Sequence, residues 1–283
     1  MATPTGREKL AALQAQQARA ARQKKLLAIT SAAVVVVLAA VAVFFVVGQN
    51  KKDSQDKKAV SAASNAAYID TVLSIPATTY DAVGHGSANT APKAISGKAL
   101  TKAGKPEVLY MGAEFCPYCG MERWSLTAAL SRFGTFTGLK SAVSTANDNP
   151  ANIPTLTYLH AKYTSKYLTF TSYEMADRAG KKLQTPDKAS AALFKKYDSG
   201  GSIPFIDYGN KAVSVGATYE GASYMQNVSG ADVAAKLKDP NSAEAKGIIG
   251  AANVITAHLC QLTKGKPSSV CASKGVIQAA SGV

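Results

Sequence analysis

Between Leu26 and Val47 the chain runs for twenty-two residues without a charge, almost all of them Ala, Val, Leu and Phe. At about 1.5 Å of rise per helical residue such a run crosses a hydrocarbon core of about 30 Å, so the sequence predicts a transmembrane helix. A cleaved signal peptide has a shorter apolar region of about 7–15 residues followed by small residues. This run closes instead on Phe44, Phe45, Val46 and Val47. The expected organisation is a cytoplasmic basic segment over 1–25, a signal anchor over 26–47, a tether of Lys, Asp, Ser, Gln and Ala over 48–67, and a folded extracytoplasmic domain over 68–283.

The net charge of +14 looks at first like a nucleic-acid signal, but half of it flanks the anchor: residues 1–58 hold ten Lys and Arg against three acids. Arg7, Lys9, Arg19, Arg22, Lys24 and Lys25 precede the helix and Lys51, Lys52, Lys57 and Lys58 follow it. The positive-inside bias therefore places the N-terminus in the cytoplasm and the domain outside, in a single-pass membrane protein with no nucleic-acid partner. With 47% hydrophobic and 18% charged residues the chain is neither disordered nor multispanning.

All four cysteines, Cys116, Cys119, Cys260 and Cys271, lie beyond the anchor, as disulfide chemistry in a non-cytosolic domain requires. Cys116-Pro117-Tyr118-Cys119 is a C-x-x-C set between two elements. Val108-Leu109-Tyr110-Met111 upstream has strand character, and Met121 to Phe133 downstream carries apolar residues at helical spacing before Gly134. A thiol at a helix start faces unpaired N–H groups and the positive end of the dipole, which favour thiolate. Cys116 is then the nucleophile, and Cys119 in the first turn resolves the mixed disulfide by exchange. Pro117 suits the first turn because it has no N–H to satisfy.

The stretch Phe115-Cys116-Pro117-Tyr118-Cys119 between strand and helix resembles the active site of the thioredoxin superfamily, and Pro-Tyr is the glutaredoxin dipeptide. The cis-proline loop of that superfamily is matched by Ser202-Ile203-Pro204-Phe205-Ile206-Asp207-Tyr208, leading through the turn Gly209-Asn210 into Ala212-Val213-Ser214-Val215. The resemblance covers about residues 104–240, and its nearest general analogue is a membrane-anchored extracytoplasmic protein of the DsbA type. Phe115 departs from it, standing where thioredoxin has Trp. The resemblance implies an α/β thioredoxin-like fold with an inserted segment over about 147–202 and C-terminal helices over about 230–283. It implies a thiol-disulfide oxidoreductase that needs no cofactor. Ile203 and Pro204 would present backbone to the substrate, flanked by Phe115, Pro117 and Tyr118. Its partners would be proteins bearing thiols or disulfides and a membrane or extracytoplasmic redox protein. The Pro-Tyr dipeptide does not fix the direction of electron flow.

Two other readings use the same residues: an anchored binding module with Cys116-Cys119 as a fixed disulfide, and a chaperone for a soft metal such as Cu(I), which thiolates suit. A four-cysteine zinc site normally brings two tight pairs, whereas Cys260 and Cys271 have ten residues between them and bracket a turn with Gly265 and Pro267. That second pair is expected to be a structural disulfide rather than a redox relay, and no metal site is expected.

Elsewhere, Val143 to Thr145 reads as the parallel partner strand that completes a βαβ unit. Thr155 to Tyr173 reads as strand or extended loop, and Pro186 to Asp198 as a helix with Thr185 as cap. Helices are expected over Ala231–Leu237 and over Ser242–Leu262, the latter capped by Ser242. Tyr158, Tyr163, Tyr167 and Tyr173 are candidates for core or for a peptide-binding surface. Glu114 and Glu122 are either solvated or act on the thiol's proton. His85, His160 and His258 show no ligand spacing. No nucleotide, hydrolase or metalloprotease motif occurs.

Overall fold

The computed structural model describes residues 67–281. The expected basic segment, membrane helix and tether, up to residue 66, lie outside the described residues. Among the described residues no helix is long and apolar enough to cross a membrane.

In chain order, helices α1 (Ala67–Leu73) and α2 (Ala77–Val83) lead into strands β1 (Lys93–Ala94), β2 (Thr101–Lys102) and β3 (Lys105–Gly112). Helix α3 (Pro117–Ser131) is followed by β4 (Gly134–Thr137), β5 (Lys140–Val143), β6 (Pro154–Thr157), β7 (Lys162–Ser165) and β8 (Thr169–Glu174). Helix α4 (Lys188–Tyr197), strands β9 (Phe205–Tyr208) and β10 (Ala212–Val215), and helices α5 (Ala222–Met225), α6 (Gly230–Lys236), α7 (Ala243–Leu262), α8 (Ser268–Cys271) and α9 (Lys274–Ser281) complete it.

The architecture is α/β around one mixed sheet. Strand β3 runs parallel to β8 on one side and antiparallel to β9 on the other, and β10 and β1 continue beyond β9. Val108 and Tyr110 of β3 enter the larger core with Trp124 of α3 and Ile248 of α7. Leu109 and Met111 face the other way, toward Phe205, Val213 and the α4 residues Leu193 and Phe194. Because both faces are covered, β3 reads as an unbroken apolar run instead of an alternating one.

The Gly209-Asn210 turn forms as the dipeptide requires. Both residues have positive φ, 64° and 55°, the combination that matches the right-handed twist of β9 and β10. Ser242 caps α7, accepting the Ala245 N–H at 3.1 Å. The cap of α4 is Asp187, which accepts the Ser190 N–H at 2.8 Å, and not Thr185; the helix starts two residues later than the proline pattern implied.

The expected parallel partner strand at Val143–Thr145 is a misreading. Val143 ends β5, which pairs antiparallel with β6 outside the central sheet, and Ser144 and Thr145 lie beyond the strand. The partner of β3 is β8, in register from Glu107–Thr169 to Gly112–Glu174. A short branched run after a helix fits a small hairpin as well as a sheet strand, whereas only the longer Thr169–Glu174 segment can match six residues of β3. The expected insertion over 147–202 is therefore not an insertion throughout, since it contributes a strand of the central sheet. The excursion away from that sheet is the pair of hairpin ladders β4–β7 and β5–β6. It is pinned to α3 by Trp124, whose Nε1 donates to the Pro154 carbonyl at 2.8 Å and whose ring stacks on Tyr68 of α1 at 5.2 Å.

Candidate active site

The chain leaves β3 at Gly112 and enters α3 at Pro117, and Cys116 is the N-cap of that helix. An N-cap side chain normally offers an oxygen to a free N–H of the first turn. Here the Cys116 sulfur does so, accepting the Cys119 N–H at 3.1 Å. Cys119 follows three residues on, so both sulfurs lie at the positive end of a fifteen-residue helix. The two cysteines are free thiols; Cys119 is fully buried and Cys116 is 5% exposed.

Across from Cys116 stands the loop before β9. The Ile203–Pro204 bond is cis, and the Cys116 thiol donates to the Ile203 carbonyl at 3.7 Å. Pro204 in turn offers its carbonyl to the Gly216 N–H at 2.8 Å, which ties the loop to the end of β10. Of the residues flanking the sulfurs, Tyr118 is 42% exposed, Phe115 and Ile203 are half-buried, and Pro117 and Pro204 are buried. The fold thus brings Cys116, Cys119, Phe115, Pro117, Tyr118, Ile203 and Pro204 to one end of the sheet.

The two sulfurs are electrostatically unequal. Cys116 is held below the ordinary thiol range: hydrogen bonding from Cys119 outweighs burial, and the Cys119 N–H and the positive charge of Arg123 add to it. Cys119 is pushed well above that range by burial, then by its bond to Cys116. Cys116 is thus the more readily ionised of the two thiols and Cys119 the less.

Beneath the sulfurs lies a charged pair that the sequence reasoning did not find. Arg123 and Glu174 are both fully buried and form a bidentate bridge, Nε to Oε1 at 2.9 Å and Nη2 to Oε2 at 2.8 Å. The same Nη2 donates to the Ala113 carbonyl at 2.7 Å. The signal available was that α3 is apolar nearly all round and carries Glu122 and Arg123 in mid-helix. Charges in a helix buried on every side must find partners.

Glu122 is not solvated. It is fully buried and accepts the Thr218 N–H and hydroxyl, both at 2.8 Å, and burial pushes its carboxyl up to about 7. Glu114 is half-buried and accepts the Thr157 hydroxyl at 2.7 Å. The tyrosines divide. Tyr158 is core, bonded to Thr127, and Tyr163 donates to the Leu130 carbonyl, whereas Tyr173 bonds Asp187 near the surface and Tyr167 is half-buried.

Cys260 and Cys271 form a disulfide that joins the end of α7 to α8, with Cα atoms 5.6 Å apart. Among the described residues no group of three or more His, Cys, Asp and Glu is placed to hold a metal ion.

Compared with known proteins, residues 91–198 match a family model described as a domain of unknown function (DUF929). That segment holds both Cys116 and Cys119 and ends before Ile203. None of the curated proteins and none of the solved structures matches the chain.

Proposed function

We propose that residues 68–283 are a thioredoxin-like domain resembling the DsbA type, and that the protein is a thiol-disulfide oxidoreductase acting on protein substrates outside the membrane. Residues 26–47 anchor it, with 1–25 in the cytoplasm and 48–67 as the tether. The observation that carries this reading is the Cys116 sulfur, which caps α3 through the Cys119 N–H and stands 3.7 Å from the Ile203 carbonyl. A nucleophile, its resolving thiol and the backbone of a cis-proline loop suited to a substrate strand meet at one point.

In the reducing direction the Cys116 thiolate attacks one sulfur of a substrate disulfide. That S–S bond breaks, a Cys116–substrate disulfide forms, and the first substrate sulfur leaves as thiolate. Cys119 then loses its proton and attacks the Cys116 sulfur, and the second substrate sulfur leaves as the Cys116–Cys119 disulfide closes. Two electrons pass to the substrate, and the same steps run backwards oxidise it. Ile203 and Pro204 hold the substrate backbone, and Tyr118 and Phe115 border it. A membrane or extracytoplasmic redox partner restores the starting state by the same exchange.

The test is trapping with the full chain in detergent micelles. With unfolded reduced and oxidised protein substrates in glutathione buffer, Cys119→Ser should accumulate a mixed disulfide through Cys116, and Cys116→Ser should not. Absence of any trapped species, together with a pair that does not equilibrate with glutathione, would overturn the reading.

A further inference from the structure

Arg123 lies four residues after Cys119, one turn along the same face of α3. A helical side chain leans toward the N-terminus of its helix. The guanidinium accordingly reaches back past the first turn to the Ala113 carbonyl, three residues before Cys116. The Cys116 N–H shares that carbonyl at 3.3 Å, and the Ala113 N–H faces the Cys119 sulfur. Arg123 therefore sits under the strand–helix junction that carries both sulfurs.

Its charge is paired, but its hydrogen bonding is incomplete. Glu174 from β8, Tyr110 from β3, Tyr158 from the loop after β6, Tyr68 from α1, and Cys116 and Cys119 from its own helix are the titratable groups around it. Glu174 takes Nε and Nη2, but Nη1 has no partner, and neither has the Tyr110 hydroxyl, although both are fully buried. The Tyr110 hydroxyl lies over Gly112, where a Cβ would come within 2.1 Å of it, so it too points along β3 toward the Cys pair. Leaving a guanidinium N–H buried and unpaired costs stability. An apolar residue here would avoid that cost, since buried ion pairs are commonly no more stabilising than apolar replacements.

We infer that Arg123 is a positioning residue for the Cys116–Cys119 pair, a permanent buried cation that stabilises the reduced site as a thiolate and so biases the protein toward oxidising substrate dithiols. This rests on the exchange reaction proposed above and gives it a direction. In that direction a substrate thiolate attacks the Cys116 sulfur of the disulfide and Cys119 leaves as thiolate. A second substrate thiolate attacks the substrate sulfur of the mixed disulfide, and Cys116 leaves as thiolate. The substrate gains a disulfide and the protein two electrons. Cys119 takes up a proton, and Cys116 keeps its negative charge above the Arg123 cation. A disulfide whose reduced form is stabilised is the stronger oxidant.

The decisive comparison is between Glu174→Gln and Arg123→Met/Glu174→Gln, using the reduced full chain in micelles and following thiolate ultraviolet absorbance against pH. Glu174→Gln keeps a hydrogen-bond acceptor but removes the neutralising charge, so the thiolate midpoint should fall below that of the wild type. Adding Arg123→Met should raise the midpoint above that of the wild type, with about a tenfold loss of thiolate at mildly acidic pH. The disulfide should then be about tenfold harder to reduce with glutathione, equivalent to about 30 mV. Equal midpoints for the two folded variants would overturn the inference. If the double variant does not fold, Glu174→Gln decides alone, and a midpoint that stays or rises refutes the role. Midpoints that move as stated while Cys119→Ser traps no substrate would sink the proposed exchange reaction and leave the role of Arg123 standing.

Discussion

Glu122 of α3 and Thr218 beyond β10 form a two-point clamp, in which one carboxyl accepts both the backbone N–H and the hydroxyl of the same threonine at 2.8 Å. The Thr218 carbonyl in turn accepts the N–H groups of Asn89 and Thr90, at 3.1 and 3.4 Å. The helix that carries the reactive cysteines is thereby fastened to the segment that leaves the Pro204 side of the sheet.

This clamp sets a pH dependence of stability. Burial pushes Glu122 from 4.5 up to about 7, so between those values the folded protein binds a proton that the unfolded chain does not. The resulting stabilisation is fully present below about pH 4.5 and is lost as pH rises through about 7, by on the order of 3 kcal/mol. Asp207, raised by burial to about 6, adds a loss of the same sign over a lower range. Denaturant titrations at several pH values should show Glu122→Gln gaining stability relative to the wild type from about pH 5 to 8. Parallel curves for the two proteins would mean Glu122 does not titrate in the fold.

Cys116 should react first. In the reduced protein, iodoacetamide at mildly acidic pH should label Cys116 well ahead of Cys119, because the hydrogen bond from Cys119 favours the Cys116 thiolate while burial disfavours the Cys119 one. Peptide mapping that finds equal labelling, or Cys119 first, contradicts the assignment of roles.

The two cysteine pairs should separate by effect. Replacing both Cys260 and Cys271 by Ser should cost about 2 to 3 kcal/mol in the loop-entropy model yet leave substrate exchange intact below the new melting temperature. Cys116→Ser should do the reverse. A Cys260/Cys271 double variant that stays equally stable but stops exchanging would make the C-terminal pair a relay.

Asn253 of α7 joins three elements from a fully buried position. Its Nδ2 donates to the Tyr80 and Gly84 carbonyls at 2.9 and 2.8 Å, and its Oδ1 accepts Arg132 Nη1 at 3.0 Å. Asn253→Ala strips the Gly84 carbonyl of its amide donor, while the Tyr80 carbonyl keeps the Gly84 N–H and Arg132 keeps Thr256 and Ser273, and the expected loss is about 1 to 3 kcal/mol, read as a lower denaturation midpoint with unchanged slope. A change below about 0.5 kcal/mol, the scale of an ordinary surface substitution, would show that water replaces the amide.

Local features were the legible ones. The Cys116 cap, the Gly209-Asn210 turn, the Ser242 cap and the apolar run of β3 each depend on a few consecutive residues, and the sequence displays them. What stayed hidden depends on partners far along the chain. Arg123 and Glu174 are fifty-one positions apart, and Glu122 and Thr218 ninety-six. Nothing near either acid or the arginine announces the other half of the pair. The parallel partner of β3 is hidden in part for the same reason: both Val143–Thr145 and Thr169–Glu174 read as strand locally, and only the six-residue match of the longer one to β3 separates them.

The contact between Cys116 and the Ile203 carbonyl spans eighty-seven positions of sequence. A chain made from its N-terminus delivers both thiols of the C-x-x-C long before it delivers the loop that faces them, and domains complete themselves only as their later strands arrive. During that interval Cys116 and Cys119 lie on a half-built sheet, without β9 beside β3 and without Thr218 to hold α3. In the extracytoplasmic setting proposed above, biogenesis would present these thiols to oxidants before the protein can govern their chemistry, making the newborn chain a client of the kind of reaction it is proposed to perform.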